Sequence, residues 1–341
     1  MAYLKWLSSQ TKSTYWHDSA IPEELEAALL NGARGMTTNP FLIASTLNAR
    51  PEFWKPMLDK EISALKGSEK AEALMRTVVR YFANRLAEYR SEGEYKGYCC
   101  VQTDPSKPGN SQRMIEQAKR FAKIAPNIVV KMPATRAGIE ALEACAALGI
   151  NVAATVSFTV AQVLAVGEAI SRGKKRAREK GITPGLGIAV LMVGRLDDYL
   201  RDVMQDSGAP ATEEDVVCAG TAAIKRAYKI FNERGYDCVL MPAGCRGAYH
   251  ISELAGGHMI MSIAPKIASQ LEELGCEDFV ERIDEAVSAE RIDRLMTMPE
   301  FRKAYEPDGM KLEEFITFGS CNRTLDQFIN CGWNILCNYK I

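Results

Sequence analysis

Short apolar runs and longer amphipathic stretches alternate along this chain. The clearest apolar run is 127–132, in which three β-branched residues precede Lys131, and Pro133 follows two places later. Such a run predicts a strand that is buried on both faces, as in a parallel sheet. The strand should end at Pro133, because proline cannot donate a hydrogen bond to a neighbouring strand. Seven more runs of this kind predict strands at 14–18, 35–40, 97–103, 151–156, 187–193, 238–242 and 259–263.

The stretches between these strands have the composition and spacing of helices. Good helix formers fill 61–86, and Pro22 stands where a helix should begin. Helices are predicted at 22–30, 61–86, 111–124, 137–148, 159–171, 213–234, 248–255 and from 267 onward. The charged run 174–180 lies between a helix and a strand. We interpret it as a solvated helix end, with an anion-binding patch as the alternative.

Eight buried strands that alternate with helices, with no composition change that would mark a linker, favour a single α/β domain. This pattern predicts a (β/α)8 TIM barrel rather than an open sheet. The predicted boundaries are an N-terminal arm at 1–13, the barrel at 14–290 and a C-terminal helical extension at 291–341. The extension is rich in aromatic residues, and we expect it to pack on its own barrel or on a second subunit, which leaves a homo-oligomer open.

Composition narrows the class of protein. The chain has 341 residues, 47% hydrophobic and 25% charged, which is ordinary for a globular protein. A net charge of -1 gives no field that would attract nucleic acid or anionic lipid, and no apolar run reaches the length of a membrane span. The N-terminus lacks a signal-peptide core. Ten cysteines without CxxC spacing indicate free thiols in a reducing cytoplasm rather than a disulfide frame or a zinc site.

In such barrels the reacting groups come from the carboxyl ends of several strands. One polar side chain falls at seven of the eight predicted strand ends: Asp18, Asn39, Gln102, Lys131, Thr155, Arg195 and Arg246. Burial of a lysine favours its neutral amine, which can attack a ketone and form a Schiff base. Lys131 is therefore the candidate nucleophile. The alternative is a lysine whose amine reaches out of the strand end to solvent.

The other polar residues fit around this amine. Asp18 could carry protons to and from a substrate hydroxyl, and Asn39 and Thr155 could orient a polyol. Arg195 and Arg246 could hold a phosphate group through charge-assisted hydrogen bonds. Each residue also has a structural interpretation, since Asp18 could cap a helix and Arg195 could pair with an aspartate at 197 or 198.

No metal or cofactor is expected. The three histidines, His17, His250 and His258, are far apart and lack the spacing of metal ligands. His17 should face away from Asp18 on the first strand, which favours a structural role.

Two segments resemble the transaldolase family of class I aldolases. Residues 35–43 resemble its TTNPxLI signature, and residues 129–135, together with 138–141 and 149–151, resemble its Schiff-base lysine segment. Residues 193–195 and 262–265 are similar to later barrel segments, so the resemblance spans roughly 14–275.

The resemblance implies a metal-free (β/α)8 enzyme that transfers a dihydroxyacetone unit between sugar phosphates, within the pentose phosphate pathway. It implies Lys131 as the covalent amine and Asp18 as the proton carrier, with Gln102 and Thr155 beside them in the catalytic set. The substrate ligands that it implies are Asn39, Thr37, Ser157, Arg195 and Arg246.

Four places in the sequence depart from the family pattern. Gln102 replaces a glutamate that activates water, and an amide cannot take a proton from water at neutral pH. Ala153 replaces an asparagine, Val190-Leu191-Met192 replaces a Ser-Pro-Phe segment, and Gly244 replaces a serine. These departures leave three functions open: transfer, simple aldol cleavage as in fructose 6-phosphate aldolases, and non-catalytic binding of sugar phosphates.

Overall fold

The computed structural model describes residues 2–89 and 93–340. Eight parallel strands lie in one sheet in the order β7-β6-β5-β4-β3-β2-β1-β8. Their bounds are β1 Thr14–His17, β2 Gly35–Met36, β3 Tyr98–Gln102, β4 Ile128–Pro133, β5 Val152–Thr155, β6 Gly187–Leu191, β7 Val239–Pro242 and β8 Ile260–Ile263. A bridge between Leu240 and Met259 brings β7 beside β8, so the sheet is a nearly closed barrel. The predicted (β/α)8 barrel is confirmed.

Helices surround the strands. Those up to the end of the barrel are α1 Tyr3–Gln10, α2 Pro22–Leu30, α3 Pro40–Ala49, α4 Pro51–Trp54, α5 Lys60–Ala64, α6 Gly67–Glu88, α7 Ser111–Ala122, α8 Arg136–Ala146, α9 Val160–Glu179, α10 Val193–Ser207, α11 Glu213–Val216, α12 Ala219–Arg234, α13 Ala248–Ser252 and α14 Pro265–Glu272. The C-terminal helices are α15 Ala289–Leu295, α16 Pro299–Tyr305, α17 Gly319–Phe328 and α18 Asn334–Cys337. A π-helical turn, Ile329–Trp333, joins the last two.

The register of the central strands determines which residues are neighbours at the barrel mouth. Lys131 on β4 lies directly opposite Gln102 on β3 and Ala153 on β5. All three residues are buried, and the strands carry apolar residues on both faces, as expected of a parallel sheet covered by helices.

The first half of the chain differs from the sequence-based prediction at three places. The second strand covers only Gly35–Met36, because Asn39 caps a helix and Pro40 occupies its first position. The sequence pattern assigns Pro40 to the end of a longer strand and therefore does not predict α3. The N-terminal segment is a helix with buried Tyr3, Leu4 and Leu7 at helical spacing.

The charged run 174–180 belongs mostly to the end of α9, which continues to Glu179. The prediction that this run is a solvated helix end is wrong for Lys174. Lys174 is buried, and its amine contacts the Asp237 carboxylate at 2.8 Å.

The C-terminal helices lie on the barrel of the same chain. The π-helical turn packs on α3, and α18 packs on α6 and α3. Gly332 permits this approach, because a β-carbon at that position would lie 2.6 Å from the backbone nitrogen of Phe41. Phe315, Phe328 and Trp333 are all buried in this layer. The packing brings the end of α17 close to the carboxyl ends of the strands.

Candidate active site

Lys131 lies at the carboxyl end of β4 with 8% of its surface exposed. Its Nζ atom donates a hydrogen bond to the carbonyl oxygen of Thr38, at 3.1 Å. The amine therefore stays inside the barrel mouth and does not extend to solvent. Ala153, its neighbour on β5, presents only a methyl group.

Asp18 follows β1 directly and is half-buried. Thr37 Oγ1 donates a hydrogen bond to Asp18 Oδ1 at 2.6 Å. Ser262 Oγ lies 2.9 Å from the same threonine oxygen, and it must be the donor because the Thr37 proton is already given to Asp18. This chain of two hydroxyls fixes the Asp18 carboxylate. Ser262 was not among the predicted site residues.

Asp18 and Lys131 lie at the same end of the barrel, because they contact the consecutive residues Thr37 and Thr38. Burial raises the pKa of Cys100 to about 12, with the Lys131 charge opposing the rise and the Asp18 charge adding to it. That thiol stays protonated at neutral pH and is not a competing nucleophile.

Two buried polar atoms, one on β3 and one just after β5, have no protein partner within the described ranges. They are Gln102 Oε1 and Ser157 Oγ, and both residues are almost fully buried. An unpaired buried polar atom costs about 1–3 kcal/mol, so a group of this kind requires an explanation. We attribute both to hydrogen bonds that form when a ligand or a water molecule is bound.

The backbone is strained between Thr155 and Ser157. Val156 has φ 51°, in the left-handed region that β-branched residues avoid. Such a conformation costs about 1–3 kcal/mol and persists only where neighbours hold it. The Gln162 amide and the Cys321 thiol both donate hydrogen bonds to the Val156 carbonyl oxygen. Cys321 belongs to α17, so the C-terminal region stabilises this turn.

Arg195 lies in the first turn of α10, and Phe328 from the end of α17 covers it. The guanidinium carbon is 5.5 Å from the centroid of the Phe328 ring, a cation–π distance. Burial lowers the pKa of Arg195, and the positive charge of Arg246 lowers it further. Two like charges thus lie close together, an arrangement that an incoming anion would stabilise. Phe328 was predicted only as part of an apolar tail.

Arg246 follows β7 and is more exposed. Its Nε and Nη2 atoms contact Asp198 Oδ2 at 2.8 and 2.6 Å, and Nη1 donates to the Gly244 carbonyl at 3.0 Å. Gly194 lets the two arginine-bearing loops meet, because a β-carbon there would lie 2.4 Å from the Gly244 oxygen.

The structural alternative for Arg195, an ion pair with Asp197 or Asp198, was wrong. Asp198 binds Arg246 and Arg201, and Asp197 binds His250.

Asn39 and Thr155 both make hydrogen bonds that stabilise the fold. Asn39 Oδ1 accepts a hydrogen bond from the Leu42 amide at 3.0 Å and thereby caps α3. That bond orients the amide group, whose NH2 end can donate to a substrate and whose oxygen has a second lone pair. Thr155 ends β5 and is buried, and its carbonyl oxygen accepts a hydrogen bond from the Ala134 amide.

The three histidines do not share a site. Among residues 2–89 and 93–340, no three His, Cys, Asp or Glu side chains come together as a possible metal site. His17 is buried, and burial lowers its pKa to about 4. Neither of its ring nitrogens has a partner in the part of the chain that the structure describes. Within the same ranges, no helix is long and apolar enough to cross a bilayer.

Comparison with known proteins gives one consistent result. Residues 15–315 match the family described as Transaldolase/Fructose-6-phosphate aldolase. Transaldolase from Thiobacillus denitrificans is 26% identical over 306 residues, which cover 85% of this chain and 82% of that protein. Transaldolase from Haemophilus influenzae is 26% identical over 288 residues, 82% of this chain and 83% of that protein. Transaldolase from Mycolicibacterium paratuberculosis is 30% identical over 210 residues, 58% of this chain and 55% of that protein.

Proposed function

Because the chain belongs to the transaldolase/fructose-6-phosphate aldolase family, we propose that it transfers a dihydroxyacetone unit between sugar phosphates through a Schiff base on Lys131. The observation that carries this proposal is the position of the Lys131 amine. It is buried at the barrel mouth, it is hydrogen-bonded to a carbonyl oxygen, and it is flanked by a methyl group on β5. The N–H directed to Thr38 orients the amine, and its lone pair attacks a ketone carbon once the amine is deprotonated.

The reaction then follows from ordinary imine chemistry. The Lys131 nitrogen adds to the C2 carbonyl of a ketose, and loss of water gives an iminium ion. A base removes the proton of the C4 hydroxyl, the C3–C4 bond breaks, and its electron pair moves into the iminium to form an enamine. The aldose product leaves, and the enamine attacks the aldehyde of an acceptor. Hydrolysis of the new iminium regenerates Lys131.

Asp18 is the base that we assign to the C4 hydroxyl. Its Oδ1 atom accepts the hydrogen bond from Thr37, and its second oxygen is not needed for that bond. A carboxylate of this kind accepts the hydroxyl proton when the carbon bond breaks and returns it when the new bond forms. Thr37 orients the Asp18 carboxylate through its hydrogen bond to Oδ1, and Ser262 in turn orients the Thr37 hydroxyl.

We assign Gln102 on β3, Thr155 at the end of β5 and Ser157 just after it to the surroundings of the reacting carbon. The unpaired Gln102 and Ser157 oxygens would bind the water that imine formation releases, or the hydroxyl groups of the donor. Gln102 can position water but cannot deprotonate it. Proton transfer to and from water would therefore fall to Asp18.

The phosphate group of the substrate would bind between Arg195 and Arg246. Arg195 lies at the N-terminus of the 15-residue helix α10, where the helix dipole also favours an anion. Asp198 holds the Arg246 guanidinium fork when no substrate is bound, so a phosphate must share or replace that contact.

Simple aldol cleavage is the second candidate, since the family that the chain matches includes fructose-6-phosphate aldolase. Cleavage requires protonation of the enamine carbon and hydrolysis of the imine by water when no acceptor is bound, and Gln102 can position that water but cannot deprotonate it. A third possibility is a protein that binds sugar phosphates without converting them. It differs from the transferase and the aldolase in forming no product.

The test is acceptor dependence. The protein is incubated with fructose 6-phosphate alone and with a four-carbon aldose phosphate, and new ketose and free dihydroxyacetone are both quantified. Transfer predicts new ketose only with the acceptor and little free dihydroxyacetone. Free dihydroxyacetone without an acceptor would assign aldol cleavage instead. Absence of both products, with Lys131→Arg as the background control, would reject catalysis.

A further inference from the structure

We propose that Asp197 and His250 are positioning residues that hold the Arg246 loop in register for phosphate recognition, an inference that rests on the function proposed above. The pair is completely buried between α10 and α13, and it is not part of the barrel mouth. Asp197 and Arg195 are two residues apart on one helix, and His250 follows Arg246 by four residues. The pair thus connects the elements that carry the two arginines.

The hydrogen bonds determine the tautomer of His250. The backbone N–H of Arg246 donates to His250 Nδ1 at 3.1 Å, so that nitrogen must be unprotonated. The proton is then on Nε2, which donates to Asp197 Oδ2 at 2.8 Å. A neutral imidazole with this tautomer satisfies both contacts. The reverse tautomer would place two N–H groups against each other at Arg246.

Asp197 selects this tautomer because it offers His250 only an acceptor. Its second oxygen, Oδ1, accepts the backbone N–H of Gly220 at 2.7 Å, so both oxygens are occupied. Burial raises the pKa of Asp197, and the hydrogen bonds from His250 and Gly220 oppose that rise. If the Asp197 carboxyl group were protonated, its O–H and the Nε2–H of His250 could both be donors in the same contact.

Arg246 is therefore held at two points. His250 fixes its backbone, and Asp198, the residue after Asp197, holds its guanidinium. The backbone contact is the one that a bound phosphate cannot replace, since phosphate competes only for the side chain. When phosphate displaces Asp198, the Asp197–His250 pair becomes the remaining anchor of the loop. Loss of the anchor should weaken phosphate binding without changing the chemistry at Lys131.

Two substitutions of His250 separate positioning from stability. An asparagine places its Oδ1 where the imidazole has Nδ1, so His250→Asn keeps an acceptor for the Arg246 N–H but leaves Asp197 without its donor. A glutamine places its amide group where the imidazole has Nε2, so His250→Gln keeps the Asp197 contact but loses the acceptor. We expect His250→Asn to have the lower melting temperature and His250→Gln the weaker phosphate binding. A purely structural role would make both properties fall together.

The measurements are KM and kcat for a phosphorylated ketose, the same constants for dihydroxyacetone as donor with unphosphorylated glyceraldehyde as acceptor, and the calorimetric dissociation constant for inorganic phosphate. His250→Gln should raise the phosphorylated KM and the phosphate dissociation constant by about tenfold, the effect of one lost hydrogen bond. Its kcat with dihydroxyacetone should match the wild type. His258→Asn, which removes an exposed imidazole, is the control for loss of a histidine and should change neither constant.

Asp197→Asn tests the tautomer directly. Its amide NH2 would face His250 Nε2 and move the imidazole proton to Nδ1, which nitrogen-15 chemical shifts of the ring report. We expect that shift together with the same rise in KM. Equal phosphate binding in His250→Gln and wild type would overturn the positioning role while imine formation continued. Failure of the wild type to bind phosphate would overturn it as well, and failure to form any imine would instead reject the function of Lys131.

Discussion

Gln102 and Lys131 lie directly opposite each other on β3 and β4, and both are buried. The amine has a partner in the Thr38 carbonyl, whereas Gln102 Oε1 has none in the described parts of the chain. An acceptor left unpaired beside a buried amine lowers stability without any benefit to the empty protein. This cost in stability is explained if the Gln102 oxygen accepts a hydrogen bond during catalysis.

Gln102→Leu should therefore preserve stability and lower activity. Leucine fills a similar volume and removes the unpaired acceptor, so the free energy of unfolding should stay equal or rise by up to about 1 kcal/mol. The kcat should fall roughly 10- to 100-fold, because a bound water or hydroxyl loses its partner. Urea unfolding and steady-state kinetics measure the two quantities.

Gln117→Leu is the matched control for that prediction. Gln117 is also buried, but its oxygen accepts the Asp104 amide and its nitrogen donates to Glu72. Its replacement should cost about 1–3 kcal/mol of stability and leave kcat at 25 °C unchanged. If Gln102→Leu lost stability as Gln117→Leu does, the interpretation of the unpaired oxygen would be wrong.

Asp18→Asn should remove proton transfer and keep the geometry. The amide oxygen can still accept the Thr37 hydrogen bond, but an amide cannot take the proton of a substrate hydroxyl. We expect kcat to fall by about 10²–10⁴-fold with little change in KM. Borohydride should still trap dihydroxyacetone on the variant. The exposed Asp293→Asn serves as the control, and an Asp18→Asn enzyme of normal kcat would remove this residue from the mechanism.

Phe328→Leu tests whether the C-terminal region shapes the phosphate site. The substitution keeps an apolar side chain but removes the ring that lies over Arg195. Loss of a cation–π contact should raise KM for a phosphorylated ketose by roughly 2- to 30-fold and leave the unphosphorylated substrate unaffected. Phe301→Leu makes the same change at a buried ring that stacks on Tyr305 instead. Equal kinetic effects of the two substitutions would show that the ring acts only through packing.

His17 should contribute to the loss of folding stability in acid. Its pKa is lowered from 6.5 to about 4 by burial, so the unfolded chain binds a proton that the folded chain does not as pH falls below 6.5. Stability is therefore lost between pH 6.5 and pH 4, and the loss from this residue should be about 2 kcal/mol by pH 5. His17→Phe should flatten urea stability between pH 7.5 and pH 5 by that amount. An unchanged slope in His17→Phe would contradict the assignment.

The barrel could be predicted because its strands carry an unmistakable pattern. Apolar runs that stop at a proline or a polar residue mark both the strand and its carboxyl end, so Lys131, Gln102 and Asp18 follow from one rule. The errors came from residues with two meanings. Pro40 ends a strand in one interpretation and begins α3 in the other, and the Asn39 cap decided the outcome.

Contacts between distant segments could not be predicted in the same way. Phe328 and Arg195 are far apart along the chain, and an aromatic residue in a tail indicates burial without saying against what. The Asp197–His250 pair has the same limitation, because nothing in the spacing of the two residues indicates contact. The strain at Val156 is also invisible in sequence, since it is imposed by Gln162 and Cys321 from other elements.

The most direct measurement is borohydride trapping of the imine, followed by mass spectrometry of tryptic peptides. The protein is incubated with dihydroxyacetone or fructose 6-phosphate, and cleavage after a modified Lys131 is blocked, so the adduct should appear on peptide 124–136. Lys174 is the internal control, because it is equally buried but paired with Asp237 at 2.8 Å. We predict an adduct on Lys131, none on Lys174, and none in Lys131→Arg. An unmodified Lys131 peptide with every ketose tested, or an adduct on another lysine that survives in Lys131→Arg, would contradict the proposed chemistry.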